Sequence, residues 1–320
     1  MYKTIFYILF FCFFQLVLYS QNLIENGDFE NYTICPNNTS IPTLMQIEYC
    51  TGWTAPRKQG TSDYFNACST QSPVPLVGVP QNLFGFQEPL SGDGYVGLYG
   101  WFSFGYDLFE YREYVQTKLS QPLKKGKAYK FSFNVSLAFS SYTIEKLGAV
   151  FSKESFYEDS DNRINAIPQV VNADGFLMDS LGWTTIEGTF LADGTEEYVT
   201  IGYFEDSVNM KDTIPILDPI EYFHWCYFYI DDTSLEETTL DIPNIFTPNG
   251  DNSNENLEFN FFISELFILD RWGNTLYHAN EPNAKWNGEL SNGDPAPEDT
   301  YFFKSISGTN EITGFVQLVR

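Results

Sequence analysis

Residues 263–278 read Ile-Ser-Glu-Leu-Phe-Ile-Leu-Asp-Arg-Trp-Gly-Asn-Thr-Leu-Tyr-His. Ile263 to Leu269 and Asn274 to His278 are apolar, β-branched or aromatic over strand length. The break between them, Asp270-Arg271-Trp272-Gly273-Asn274, is built of turn residues, so the stretch predicts a β-hairpin. Tyr301 to Ile306 and Ile312 to Val319 repeat the pattern across Gly308-Thr309-Asn310. With Phe259, Phe261 and Phe262 ahead of them, these strands predict a small antiparallel sandwich.

The rest of the chain has the same habit. Of its 320 residues 18% are aromatic, with 23 Gly and 16 Pro, a composition of many short aromatic strands joined by turns and hence of an all-β protein. The formal charge is −25, which argues against nucleic acid or anionic lipid as partners, because both demand Lys and Arg patches.

Further motifs follow the hairpin pattern in order: Pro243-Asn244, Phe246-Thr247-Pro248-Asn249-Gly250-Asp251, Arg271-Trp272-Gly273-Asn274, Trp286-Asn287-Gly288, Tyr301, and Gly314 to Arg320. In these residues the stretch 241–320 resembles the gliding motility-associated C-terminal domain, the type B sorting domain of the type IX secretion system. The resemblance implies an Ig-like sandwich, handling by the type IX machinery, and a place outside the outer membrane of a Gram-negative bacterium, secreted or at the cell surface. The opposite end agrees. Met1 to Ser20 has an early charge, Lys3, an apolar run from Ile5 to Phe14 and a small residue before Gln21, so 1–20 predicts a secretory signal peptide. No later segment is apolar for long enough to predict a membrane helix.

Beyond the leader the cysteines are Cys35, Cys50, Cys68 and Cys226, an even set in an oxidising compartment. Two disulfides are expected, with three connectivities open and one bridge stapling the Pro-rich segment that holds the first three. Zinc is the weaker reading, since no C-x-x-C pair or neighbouring His accompanies them.

Between leader and tail, 21–238 opens with Asn22-Leu23-Ile24-Glu25-Asn26-Gly27-Asp28-Phe29-Glu30 and closes with Tyr227-Phe228-Tyr229-Ile230-Asp231-Asp232-Thr233-Ser234-Leu235. This pairing resembles the galactose-binding-like jelly rolls found among carbohydrate-binding modules. Tyr129 to Leu137, Trp183 to Phe190 and Tyr198 to Phe204 predict strands between the two ends, while 152–174 and 206–223 read as long surface loops. The expected architecture is a jelly-roll β-sandwich followed by the smaller sandwich.

If the first and last strands lie side by side as in such jelly rolls, Glu30 and Asp231 meet at one sheet edge, with Asp28 a third acid nearby. A structural Ca²⁺, which accepts irregular sets of oxygens, is the cofactor this resemblance implies. A glycan is the expected ligand, since sugar C–H faces stack on aromatic planes. The expected platform is the glycine-flanked stretch Tyr99 to Tyr106, led by Trp101, Tyr106 and Tyr99, with Trp53 and Tyr64 as further candidates.

Catalysis has little sequence support. The two histidines are His224 and His278, and neither G-x-S-x-G nor H-E-x-x-H occurs. The reading is therefore a non-catalytic carbohydrate-binding or adhesin-like surface protein. A secreted polysaccharide hydrolase and a purely structural surface component stand as alternatives.

Overall fold

Ala128–Leu137 shows why this chain folds as sheet: Tyr129, Phe131, Phe133, Val135 and Leu137 are buried and alternate with Lys130, Ser132, Asn134 and Ser136. The computed structural model describes residues 21–320 except 57–59, 72, 74, 105–109, 158–162, 173–174, 206–212, 217–222 and 282. The expected leader, 1–20, lies outside the described residues.

In chain order the strands begin β1 (Trp53–Thr54), β2 (Asp63–Asn66), β3 (Gln81–Asn82), β4 (Gly85–Phe86), β5 (Gly94–Phe104), β6 (Glu110–Tyr111) and β7 (Tyr114–Lys118). They continue β8 (Ala128–Leu137), β9 (Tyr142–Ile144), β10 (Leu147–Ser152), β11 (Val170–Val171), β12 (Thr184–Leu191), β13 (Tyr198–Tyr203), β14 (Thr213–Pro215) and β15 (Phe223–Thr238). One sheet has the order β1-β7-β13-β10-β11, the other β12-β8-β15-β5-β2 with β6 beside β5. Val115, Ala149, Phe151, Val199 and Ile201 of the first sheet pack on Phe131, Phe133, Val96, Leu98, Phe228 and Ile230 of the second. Each of the larger of these side chains contributes roughly 1.5–3 kcal/mol on leaving water.

The opening segment departs from the expected strand. Asn26 and Phe29 have φ of 54° and 58°, so 22–30 turns instead of extending. It still meets the closing strand: Leu23 N–H donates to Leu235 O and Thr233 N–H to Gly27 O, each at 2.8 Å. Gly27 is needed there, since a Cβ would stand 2.2 Å from Thr233 O.

The expected loop at Tyr99 to Tyr106 is a strand as far as Phe104, with Tyr106 outside the described residues. Gly100 within it and Gly97 before it do not open a loop. They make room for the facing strand, because a Cβ on Gly97 would lie 2.6 Å from the Tyr227 ring and one on Gly100 3.2 Å from Cys226 Sγ. The segment 152–174 is also more than a surface loop. It contributes β11, and its Phe156, Ile164 and Ala166 pack on Tyr114, Val150 and Phe204, over the face of the five-stranded sheet turned away from the main core. Of 206–223, most lies outside the described residues, and β14 pairs with β9.

Among the described residues one disulfide forms, Cys35–Cys68, with a sequence separation of 33. The second expected bridge does not: Cys50 follows a 3-10 turn, Gln46–Tyr49, and Cys226 lies in β15, each a free thiol buried in the core. Burial pushes the Cys226 thiol up to about 12 and raises Cys50 as well, so both stay protonated.

After Thr238 a second core begins. β16 (Ile245–Phe246), β17 (Glu265–Leu269), β18 (Thr275–Ala279), β19 (Asp299–Ser307) and β20 (Asn310–Leu318) form a sheet of order β16-β20-β19-β17-β18. Its pairs are antiparallel except β16 with β20. Opposite the sheet, isolated bridges Leu257–Trp286 and Glu289–Pro295 stand in for a second layer, and Trp286 is wholly buried between Phe246 and Tyr301. The two units touch where Thr189 O accepts Phe262 N–H at 2.7 Å and Ala192 O accepts Asn310 Nδ2 at 3.0 Å.

Candidate functional site

The aromatic residues expected to stack on sugar lie mostly inside. Trp53 is 1% exposed, tilted against Phe29 at 4.8 Å, and its Nε1 donates to Asn26 O. Tyr64 is fully buried, with its hydroxyl on Phe29 O. Trp101 is buried against Tyr142 and His224. Tyr99 is half-buried, edge-on to Phe84 and Tyr227. Rings whose faces are covered by protein cannot stack on a ligand, so Trp53, Tyr64 and Trp101 are core residues.

An open groove of about 370 Å³ lies instead at the edge of the five-stranded sheet. Glu48, Gly52, Thr54, Ala55 and Pro56 line one side, Gln116, Thr117, Lys118 and Tyr198 the floor, and Ser155, Phe156 and Tyr157 the other side. The floor is held by buried Gln116, whose Oε1 accepts Phe156 N–H at 2.8 Å and the Thr200 hydroxyl at 2.9 Å. Thr117 donates to Gly52 O at 2.9 Å, fixing the near side. Register places Tyr198 beside Lys118, whose Nζ stands 5.5 Å from the ring centre and 3.3 Å from Glu197. Tyr157 is 69% exposed. The arrangement offers aromatic faces and hydrogen-bonding groups together, with the floor lysine already paired. In the sequence its pieces are far apart; the aromatic pair Phe156-Tyr157 in a polar insertion is the signal that marks them.

The acids expected at a calcium site are engaged otherwise. Glu30 Oε1 accepts the N–H groups of Asp93 and Gly94 at 2.8 Å each. Asp231 is fully buried; its Oδ2 accepts Leu90 N–H at 2.8 Å and Ser91 N–H at 3.4 Å, and its Oδ1 accepts Asp232 N–H at 2.7 Å. Glu30 Oε1 and Asp231 Oδ2 thus hold one turn, 90–94, from its two ends through backbone N–H donors. Asp28 lines a separate polar groove with Asn22, Asn26 and Asp232. Among the described residues no three His, Cys, Asp or Glu side chains gather to hold a metal. Ca²⁺ also takes carbonyl and amide oxygens, so the expectation is put to chelator, which should leave the thermal midpoint unchanged if these N–H contacts are all that the acids serve. A midpoint that falls with chelator and returns with calcium would reverse this.

Two more acids are sealed in the sandwich. Asp63 accepts the Tyr227 hydroxyl at 2.7 Å and Ser40 N–H at 2.6 Å. Glu113 accepts the hydroxyls of Thr61 and Tyr111 at 2.6 and 2.7 Å and Tyr99 N–H at 2.9 Å. Burial raises both above the usual carboxylate range, and the nearby Glu113 charge raises Asp63 further. Neither reaches a ligand from inside the core.

In the C-terminal unit the recurring motifs converge. A Cβ on Gly288 would meet Leu318 at 2.9 Å, Pro248 at 3.2 Å and Arg320 Nη2 at 3.3 Å, and the Arg320 guanidinium donates to the carbonyls of Gly288 and Ala296. Residues 240–318 match the CHU_C Type IX secretion signal domain. That domain implies a secreted or cell-surface protein, and no helix among the described residues is long and apolar enough to cross a membrane. No curated protein matches the chain.

Among solved structures the chain is similar to a CBM4 structure, at 13% identity over 67% of this chain and 99% of that one, with a TM-score of 0.28. The N-terminal cellulose-binding domain of Cellulomonas fimi β-1,4-glucanase C gives 11%, 59%, 90% and 0.27. The K1 cleaved adhesin domain of Lys-gingipain from Porphyromonas gingivalis W83 gives 15%, 66%, 96% and 0.29. At such TM-scores the site has to be argued from its own residues.

Proposed function

We propose that this chain, which carries a type IX secretion signal domain at 240–318, displays a non-catalytic carbohydrate-binding module outside the outer membrane of a Gram-negative bacterium. The observation that supports binding is the groove in which Tyr157 and Tyr198 stand with Glu48, Thr54, Gln116 and Lys118. Pyranose C–H faces pack on phenol rings, and short polar side chains take the hydroxyls. Because Lys118 is paired with Glu197, the floor presents no free cation, which suits a neutral glycan. Glu48 is the one carboxylate among the described lining residues, whereas glycoside hydrolysis uses two across the bond.

A glycan array on the secreted protein, followed by affinity electrophoresis on each hit, tests the reading. Tyr198→Ala and Tyr157→Ala should each weaken retention about tenfold, the loss of one stacked face. Retention that survives both substitutions would remove the groove from consideration. Shortened products from a bound glycan would favour the hydrolase.

A further inference from the structure

The secretion signal domain buries one face of its sheet and leaves the other open. On β19 the buried side chains are Tyr301, Phe303, Ser305 and Ser307, and on β20 Val316 and Leu318. Their outward neighbours should be polar on a solvent face. Instead Phe302 and Phe315 are 43% and 52% exposed. Register pairs Phe315 with Phe302 and Phe302 with Leu269, so three apolar side chains form one row across β20, β19 and β17. Trp272, 83% exposed, lies in the turn that follows Leu269.

The charges around this row are already matched. Lys304 Nζ lies 2.7 Å from Glu311, Arg271 Nη2 lies 2.6 Å from Asp299, and His278, stacked on Phe267 at 4.2 Å, has Nε2 3.5 Å from Glu265. The jelly-roll unit reaches this domain elsewhere, through Phe262 and Asn310. A second copy of the chain would bring another 25 negative charges to the face.

We propose that this open sheet face, centred on Phe302 and Phe315, is where the secretion apparatus reads the domain, and that the reader meets it with an uncharged apolar surface. A signal domain works by being recognised, and exposed aromatic side chains on a rigid sheet carry most of the energy of such contacts. The proposal rests on the secretion signal and is independent of the glycan groove.

The test is made with the full chain, expressed in a bacterium that has the type IX route. Phe302→Ser with Phe315→Ser should lower the ratio of extracellular to periplasmic protein at least about tenfold, as for the loss of two central anchors. Thermal unfolding of the retained protein should show the jelly-roll and signal-domain transitions of the parent chain. If that double variant does not fold, Phe315→Lys alone, which keeps a long stem over the strand and adds a charge, should give the same retention. Normal secretion of a folded variant overturns the proposal. So does equal retention of Leu181→Ser with Ile34→Ser, which removes exposed apolar side chains of the jelly-roll unit, away from this face. A variant that loses only self-association, with secretion intact, assigns the face to a second copy and also overturns it.

Discussion

Acidifying the secreted protein from about pH 8 to about pH 5 should raise its thermal midpoint by about 5 °C or more, the reverse of the usual acid response. The cause is a set of carboxyl groups whose ionised forms are penalised by burial. Asp231 is pushed up to about 8 by burial, against hydrogen bonds from Leu90, Asp232 and Ser91 that act to lower it. Asp63, Glu113 and Glu196 are raised for the same primary reason. A carboxyl whose folded pKa exceeds its unfolded value contributes stability that is fully present below the unfolded value, near 4, and lost as pH rises through the folded one. For Asp231 that window runs up to about 8. Asp270, Asp299 and Glu237 are held below their ordinary values and act in the opposite sense, but they are exposed and screened by solvent. The net charge of −25 adds to the trend, since protonation relieves self-repulsion. Calorimetry at constant ionic strength decides the matter, and a midpoint that is flat or rises with pH would refute the account. Asp231→Asn should flatten the slope, because the amide does not titrate.

Removing the disulfide should have an effect of similar size. Cys35–Cys68 closes a loop of 33 residues in sequence, and the chain-entropy account of such a loop gives roughly 4 kcal/mol. The bridge clamps a segment with little regular structure, held otherwise by side-chain bonds such as Ser40 to Ser62 O and Gln46 to Asn37. Cys35→Ser with Cys68→Ser should therefore lower the midpoint of the jelly-roll transition by about 10 °C and leave the signal-domain transition in place. Cys50→Ser serves as contrast: it breaks no bridge, and its cost is a buried hydroxyl beside Asn26. Equal losses from the bridge variant and the contrast would show that the bridge adds nothing.

Strand content was legible wherever a strand has one buried face. β8 was readable from alternation, because period-two burial leaves a period-two sequence, whereas β13, β17 and β19 were readable as short apolar and aromatic runs. Glycine was misread in β5. Gly100 looks like a loop residue until the facing Cys226 is known, and that knowledge is a matter of pairing with a strand far along the chain, not of local sequence. The same limit hid the groove, whose walls come from 48–56, 116–118, 155–157 and Tyr198. The carboxylates were expected together at one sheet edge, and the turn they share was not legible. Glu30 and Asp231 do serve the same stretch, 90–94, but it meets them with N–H groups. Composition cannot report which end of a peptide group faces an acid.

β15 lies between β8 and β5 and runs directly into the residues that lead to the secretion signal domain. It bonds to β8 over Phe228–Thr238 and to β5 over Phe223–Ile230. A load drawn through Leu240 therefore enters the jelly roll along the axis of a central strand. The rungs of both ladders must then shear together, whereas an edge strand would peel away one rung at a time. Detachment under tension is set by the rate of rupture and not by equilibrium stability. Tension applied through the C-terminal unit would thus meet the jelly roll in the mechanically strong direction of its fold.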